Sequence, residues 1–178
     1  MSTLPTLETA RLRLRPNHDA DIADLIQLIG VREVAATTRL PFPYTEADAK
    51  DFIARTEEPG NLWLAVTLRT DGRLIGGAGL RIDHQNQNAE LGYWLGVAYW
   101  GMGYATEAAR ELLRYGFEDL KLHRIFAVHF KGNSASARIL VKLGMQREGR
   151  QREHLRKWDQ FVDLEMYAIL RREWQHRE

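Results

Sequence analysis

The stretch YWGMGYATEAAR, residues 99–110, restricts the fold more than any other part of the chain. Two glycines, Gly101 and Gly103, stand directly before ATEAAR, a run of good helix formers. A glycine inside a helix costs about 1 kcal/mol relative to alanine. The pair therefore belongs to a turn ahead of the helix. Upstream, residues 88–97 (NAELGYWLGV) read as a strand, and downstream residues 123–130 (HRIFAVHF) read as another, with the apolar run IFAV in its middle. Strand, glycine turn, helix and strand make a βαβ unit, which predicts a parallel pair between these two strands.

The rest of the chain predicts antiparallel neighbours around that unit. Residues 11–15, RLRLR, alternate charged and apolar, as a half-buried strand does, with Leu12 and Leu14 inward. Residues 19–29 carry Ile22, Leu25, Ile26 and Ile29 at helical spacing behind Asp19 as a candidate cap. A Pro-rich loop follows, then a helix start in which Thr45 and Asp48 form a loose capping box. Residues 61–69 and 73–83 read as strands joined by the hairpin turn Thr70-Asp71-Gly72. Gly76, Gly77 and Gly79 interrupt the second of them and imply a bulge or twist, with close approach of a ligand as the alternative. Residues 134–143 predict a helix closed by Gly144, and residues 145–170 two antiparallel strands. The expectation is one α+β domain over residues 1–178, a mostly antiparallel mixed sheet of about seven strands with about four helices.

Composition removes several classes of function. With 25 basic and 24 acidic residues the net charge is +1, so no global field favours nucleic acid or an anionic membrane. The chain has no cysteine, which excludes disulfides, cysteine nucleophiles and thiolate metal sites. Its six histidines include no helical i, i+4 pair, and no G-x-S-x-G elbow is present, so neither a metal centre nor a serine hydrolase is expected. MSTLPTLETARLRLRP lacks a long apolar run. Neither a signal peptide nor a membrane span is expected, and the cytoplasm is the expected location.

A strand, a glycine turn and a helix N-terminus form an anion site. The first amides of the helix have no internal partners, and its dipole adds positive potential there. Glycines let those amides approach a phosphate closely. The P-loop pattern is absent, and so is G-x-G-x-x-G, because Gly101-Met102-Gly103 is followed by Tyr104, Ala105 and Thr106. On these residues alone, a tight turn without a ligand stays open.

The wider pattern resembles the GNAT acetyltransferases, and within them the RimJ/RimL-like branch that includes ribosomal-protein N-terminal acetyltransferases. It is carried by AELGYWLGVAYWGMGYATEAAR and, some way on, GNSASARILVKLGMQREG, with LETARLRLRP, IGGAGL and DLEMYAILRREW extending it over nearly the whole chain. The resemblance implies a GNAT fold splayed at its central parallel pair, with acetyl-CoA as cosubstrate. It implies that Trp100, Gly101, Met102, Gly103, Tyr104, Ala105 and Thr106 hold the pyrophosphate, and that the strand from Tyr93 through Trp94, Leu95 and Gly96 to Val97 pairs with the pantetheine arm as another strand would. The family loop usually begins with Gln or Arg; by spacing that position is Ala98, so one side-chain contact is missing. Asn133 opens an N-x-x-S pattern ending at Ser136. As residues they read as a helix cap and its first turn; the resemblance adds a cofactor hydrogen bond for Asn133 and puts Ser136 near the thioester sulfur. Arg138 and Lys131 are candidates for the 3′-phosphate, and each reads more simply as a solvated charge.

Acetyl transfer to an amine needs a neutral amine, a stabilised oxyanion and a protonated leaving thiolate. Without cysteine, the expected route is direct attack in a ternary complex. A backbone amide near Leu95 is the candidate oxyanion donor and Glu90 the candidate base, with a salt-bridged strand carboxylate as the plain alternative for Glu90. Many family members use a Tyr seven residues after the Asn as acid; that position is Leu140 here, leaving Ser136 as the candidate acid or sulfur contact. Phe42 and Tyr44 in the Pro-rich loop, and Trp158, Asp159 and Phe161 between the last strands, are candidate acceptor residues. The expected acceptor is a protein N-terminal α-amine. A small-molecule amine and a non-catalytic acyl-CoA sensor are the alternatives, and the state is a monomer or homodimer without direct nucleic-acid or membrane partners.

Overall fold

The computed structural model describes residues 4–56 and 58–175. Eight strands form one sheet: β1 (Leu7–Glu8), β2 (Leu12–Pro16), β3 (Asn61–Leu68), β4 (Leu74–Asp83), β5 (Asn88–Leu95), β6 (Arg124–Phe130), β7 (Gln146–Lys157) and β8 (Gln160–Leu170). Six helices accompany them: α1 (Ile22–Ile29), α2 (Arg32–Thr37), α3 (Glu46–Thr56), α4 (Tyr104–Arg114), α5 (Ser134–Lys142) and α6 (Arg171–Gln175). The sheet order is β1-β2-β3-β4-β5-β6-β8-β7. Every neighbouring pair is antiparallel except β5 and β6, which are parallel as the βαβ pattern requires. No helix among the described residues is long and apolar enough to cross a membrane.

The elements beyond the expected seven strands and four helices are short. β1 has two residues, paired with Leu14 and Arg13, too few to show alternation. α2 has six residues and α6 five, less than two turns each. Asp19 does not cap α1: a 3₁₀ turn at Asp19–Asp21 precedes that helix, and the Asp21 carboxylate instead accepts from the His18 amide at 3.0 Å. The strand expected over 88–97 stops at Leu95, because Val97–Tyr99 turns into a 3₁₀ helix. The Thr45/Asp48 capping box is present, with Asp48 Oδ2 accepting from the Thr45 amide at 2.8 Å and Thr45 Oγ1 from the Asp48 amide at 3.3 Å.

Each face of the sheet carries its own apolar cluster. Leu12 and Leu14 of β2 point with Leu64, Ile75 and Leu80 toward Leu112 and Leu113 of α4 and Leu140 of α5. On the opposite face Leu25 and Ile29 of α1, Val34 of α2, and Ala49 and Ile53 of α3 close over Trp94. The three glycines of β4 serve this packing. A bulge lies beside Gly76, where the pairing jumps from Val66↔Gly76 to Thr67↔Leu74. Gly77 makes room for an indole, since a Cβ there would lie 2.7 Å from Trp94 Nε1. At Gly79 a Cβ would meet the Leu62 carbonyl oxygen at 2.3 Å and Trp63 Cα at 2.8 Å. The close approach is therefore by neighbouring strands and indoles, and none of the three lines the cleft described below.

Candidate active site

β5 and β6 pair only at Asn88↔Arg124, Ala89↔Ile125 and Glu90↔Phe126. Beyond Glu90 the strands part, while β5 stays paired with β4 as far as Leu95↔Gly76. The Gly96 amide donates to the Ile75 carbonyl at 2.9 Å. Alternation along the strand then aims the amides of Leu91, Tyr93 and Leu95 at the edge that β6 has left. The Leu95 carbonyl on this edge accepts from Trp100 Nε1 at 2.8 Å. The splay opens a cleft of about 710 Å³, bounded by the second half of β5, the glycine loop, the start of α5, β6, and the segment between α2 and α3.

The glycine loop sits at one end. Gly101 and Gly103 have φ of +77° and +82°, the left-handed region that side chains resist. That answers why glycine stands at both positions. A Cβ on Gly101 would meet nothing within 4 Å, so the space in front of it is open. Gly103 is the N-cap of α4 and no side chain caps that helix, leaving its first amides available to an anion. Met102 is not among the residues lining the cleft, and its carbonyl accepts from Arg11 Nη1 at 3.0 Å. Arg11 also binds Glu107 in the first turn of α4, through Nε at 2.6 Å and its backbone N–H at 2.9 Å, while Thr9 Oγ1 donates to the same carboxylate at 2.6 Å. Burial pushes the Glu107 carboxyl up, but these donors outweigh it and hold the group below its ordinary range.

At the start of α5, Asn133 caps the helix by accepting from the Ser136 amide at 3.1 Å. Ser136 Oγ lies 2.8 Å from the Tyr93 hydroxyl, and both residues line the cleft. Burial pushes the Tyr93 phenol up to about 12, against the lowering effect of the bond to Ser136. Leu140 is fully buried in the core, so α5 presents no phenol of its own at that position. Arg138 lines the cleft and donates to Ser134 Oγ at 3.3 Å, whereas Lys131 lies outside it near Asp163, 3.7 Å away.

Glu90 stands at the fork, on the face of β5 opposite Tyr93. Its carboxylate binds Arg81 of β4 and, at 3.1 Å, Arg39 Nη2 from the segment before α3. The acceptor candidates fall into two groups. Tyr44 lines the cleft, but its hydroxyl is buried without a partner among the described residues, and burial with Asp48 and Asp51 nearby pushes it up to about 12. Phe42, Trp158, Asp159 and Phe161 lie outside the cleft lining. Trp158 stacks under Arg32, with the guanidinium 4.6 Å from its ring centre, and Asp159 is exposed and pairs with Arg156 at 3.1 Å. The last hairpin still reaches the loop, because Lys157 Nζ donates to the Leu40 carbonyl at 2.7 Å.

Of the expected cofactor residues, Trp94, Leu95, Trp100, Gly101, Gly103, Tyr104, Ala105, Thr106, Asn133 and Arg138 come together along this one cleft, together with Glu90 and Ser136. Gly96, Val97 and Met102 belong to the same segment but do not line it. Sequence reasoning passed over Arg39 and Arg11, and took Tyr93 only as the start of the pantetheine strand, not as the partner of Ser136. Tyr93 alternates with Leu91 and Leu95, a signal that it shares their face, but its partner is 43 residues away.

This arrangement is a known one. The acetyltransferase (GNAT) domain family matches residues 11–146. The chain is 34% identical over 178 residues to the uncharacterized N-acetyltransferase p20 of Bacillus licheniformis, covering 96% of this chain and 99% of that one. It is 37% identical over 106 residues, 59% of this chain and 58% of the other, to YdaF of Bacillus subtilis, a "Putative ribosomal N-acetyltransferase". Its structure superposes on a GNAT-family acetyltransferase from Bacillus anthracis with a TM-score of 0.85 at 28% identity, covering 94% and 99% of the two chains. The chain belongs to the GNAT family, and it is an N-acetyltransferase that uses acetyl-CoA.

Proposed function

We propose that the protein acetylates a protein N-terminal α-amine by direct attack on acetyl-CoA, as a RimJ/RimL-like member of the family acting as one domain in the cytoplasm. The observation that carries the reading is the open edge of β5, which runs from a carboxylate at the fork to an uncapped helix N-terminus at the glycine loop. An extended pantetheine arm pairs with such an edge as a further strand. Its pyrophosphate then meets the amides of Gly103, Tyr104, Ala105 and Thr106, with Asn133 and Arg138 lining the same cleft. Amide donors do not depend on residue type, so Ala98 removes one contact and leaves the cradle.

The Leu95 amide, on the open edge, stabilises charge on the carbonyl oxygen as the amine attacks. Glu90 receives the amine proton through water. An ionised carboxylate has about four acceptor sites, and Arg39 and Arg81 leave room for a water on it. The demand on it is modest, because an α-amine has a pKa of about 8 and is partly neutral at pH 7, while a lysine or polyamine amine sits near about 10.4. Ser136 gives its hydroxyl to the leaving sulfur. The likeness to YdaF supports the peptide acceptor.

The test is thiol release from acetyl-CoA read with a thiol-reactive dye. With no cysteine in the protein, all signal comes from free CoA. Peptides beginning with Ser, Ala or Met are expected to turn over with higher kcat/KM than spermidine, an aminoglycoside or free amino acids. A small amine outperforming every peptide overturns the acceptor assignment.

A further inference from the structure

We propose that Tyr93 aims the Ser136 hydroxyl at the thioester sulfur, a positioning role taken from β5 because α5 carries leucine where a phenol would stand. It rests on the reading of Ser136 as the sulfur contact. The two oxygens are 2.8 Å apart and both side chains line the cleft between the splayed strands. Leu140 points fully into the core, so the phenol nearest Ser136 comes from the strand.

The direction of the bond follows from chemistry. A serine hydroxyl has one proton to give and two lone pairs to receive with, and a phenol is the more acidic of the two groups and hence the better donor. Burial keeps the Tyr93 phenol protonated across the working pH range. Tyr93 therefore donates to Ser136 Oγ, and the single serine proton is free to turn toward the cleft. The first turn of α5 is pinned by the Asn133 cap on the Ser136 amide, so the backbone under that hydroxyl does not swing. When the C–S bond breaks, its electron pair goes to sulfur, which meets the serine O–H; the proton that completes the thiol comes from water, balancing the one the amine has lost. No bond to Tyr93 forms or breaks.

Tyr93→Phe keeps the ring and deletes the donor. CoA is the probe, its thiol being the only one in the sample. Its titration when bound is followed by thiolate absorbance, beside kcat and the dissociation constant for acetyl-CoA. Tyr93→Phe is expected to lower kcat about fivefold and to move the bound thiol's titration up by about 0.5 in pH, the scale of one neutral hydrogen bond. The acetyl-CoA dissociation constant stays unchanged. Ser136→Ala should show the same two effects, and the double variant should be no worse than either single one. A packing defect would weaken binding or stability without moving the thiol's titration. A fluorotyrosine at position 93, more acidic in the same shape, should move the titration the other way even if the phenylalanine variant folds poorly. Silence of Ser136→Ala in both readouts overturns the reading of Ser136 and this proposal with it. An effect of Ser136→Ala without one from either Tyr93 change overturns the proposal alone.

Discussion

Replacing Arg11 with alanine should weaken acetyl-CoA binding through the diphosphate alone. Arg11 comes from the β1–β2 turn, yet it ties together three parts of the proposed anion site. Its Nη1 donates to the Met102 carbonyl at 3.0 Å, its Nε to Glu107 at 2.6 Å, and its guanidinium lies 4.5 Å from the Tyr104 ring centre. A carboxylate in the first turn of α4 would repel a diphosphate if it were loose; Arg11 and Thr9 hold it and offset its charge. Two hydrogen bonds to an ionised group, fully buried, would be worth about 3–6 kcal/mol. The Arg11 side chain is 48% exposed, and solvent screening reduces the pair to about 1–1.5 kcal/mol. If that energy holds the loop in its binding-competent form, its loss weakens acetyl-CoA binding about tenfold. Acetyl-pantetheine, which has no diphosphate, provides the control. Calorimetry with CoA and kcat/KM for both donors should give a loss confined to the full donor, partly recovered in Arg11→Lys. An equal loss for both donors, or none for either, refutes the reasoning.

Glu90→Gln should lower kcat/KM for the amine at neutral pH by about 10²-fold, the usual scale of a general base. In a pH–rate profile the defect should shrink above the amine's own pKa, where the neutral form dominates. Gly79→Ala forces a Cβ to within 2.3 Å of the Leu62 carbonyl oxygen, so urea unfolding should show a loss of about 2–3 kcal/mol. Asp21 and Glu107 are both pushed up by burial and pulled further down by arginine and backbone donors, to a folded value below the unfolded one. Their stabilisation is therefore present above the ordinary carboxylate range of about 3.9–4.3 and disappears as pH falls through the folded values. Melting temperature followed below about pH 4.3 should decline less steeply in Glu107→Gln than in the parent.

What the sequence reveals here is what repeats along the chain. Leu12 and Leu14 alternate on β2, Leu112 and Leu113 lie on the inner face of α4, and Gly101 and Gly103 stand where two left-handed residues are needed. Each signal is local, and together they mark the sheet, the parallel pair and the glycine loop. The two-residue β1 and the six-residue α2 have no period to read. The glycines of β4 announce the bulge beside Gly76, but not the indoles they accommodate, because Trp63 and Trp94 belong to neighbouring strands.

The same limit explains the two positions at which the motif looks depleted. Ala98 and Leu140 stand where the family resemblance leads one to expect a polar side chain, and along the chain each reads only as a loss. In three dimensions a guanidinium from residue 11 lies against the loop that Ala98 precedes, and a phenol from residue 93 lies against the serine one turn before Leu140. A site needs an atom of given chemistry at a point in space, and the chain position that delivers it is free to change. The partners in these contacts are 91 and 43 residues apart, which is why no spacing rule finds them. The surviving parts are those a backbone supplies, namely the open edge of β5 and the uncapped start of α4, and these can be read from strand and glycine placement alone.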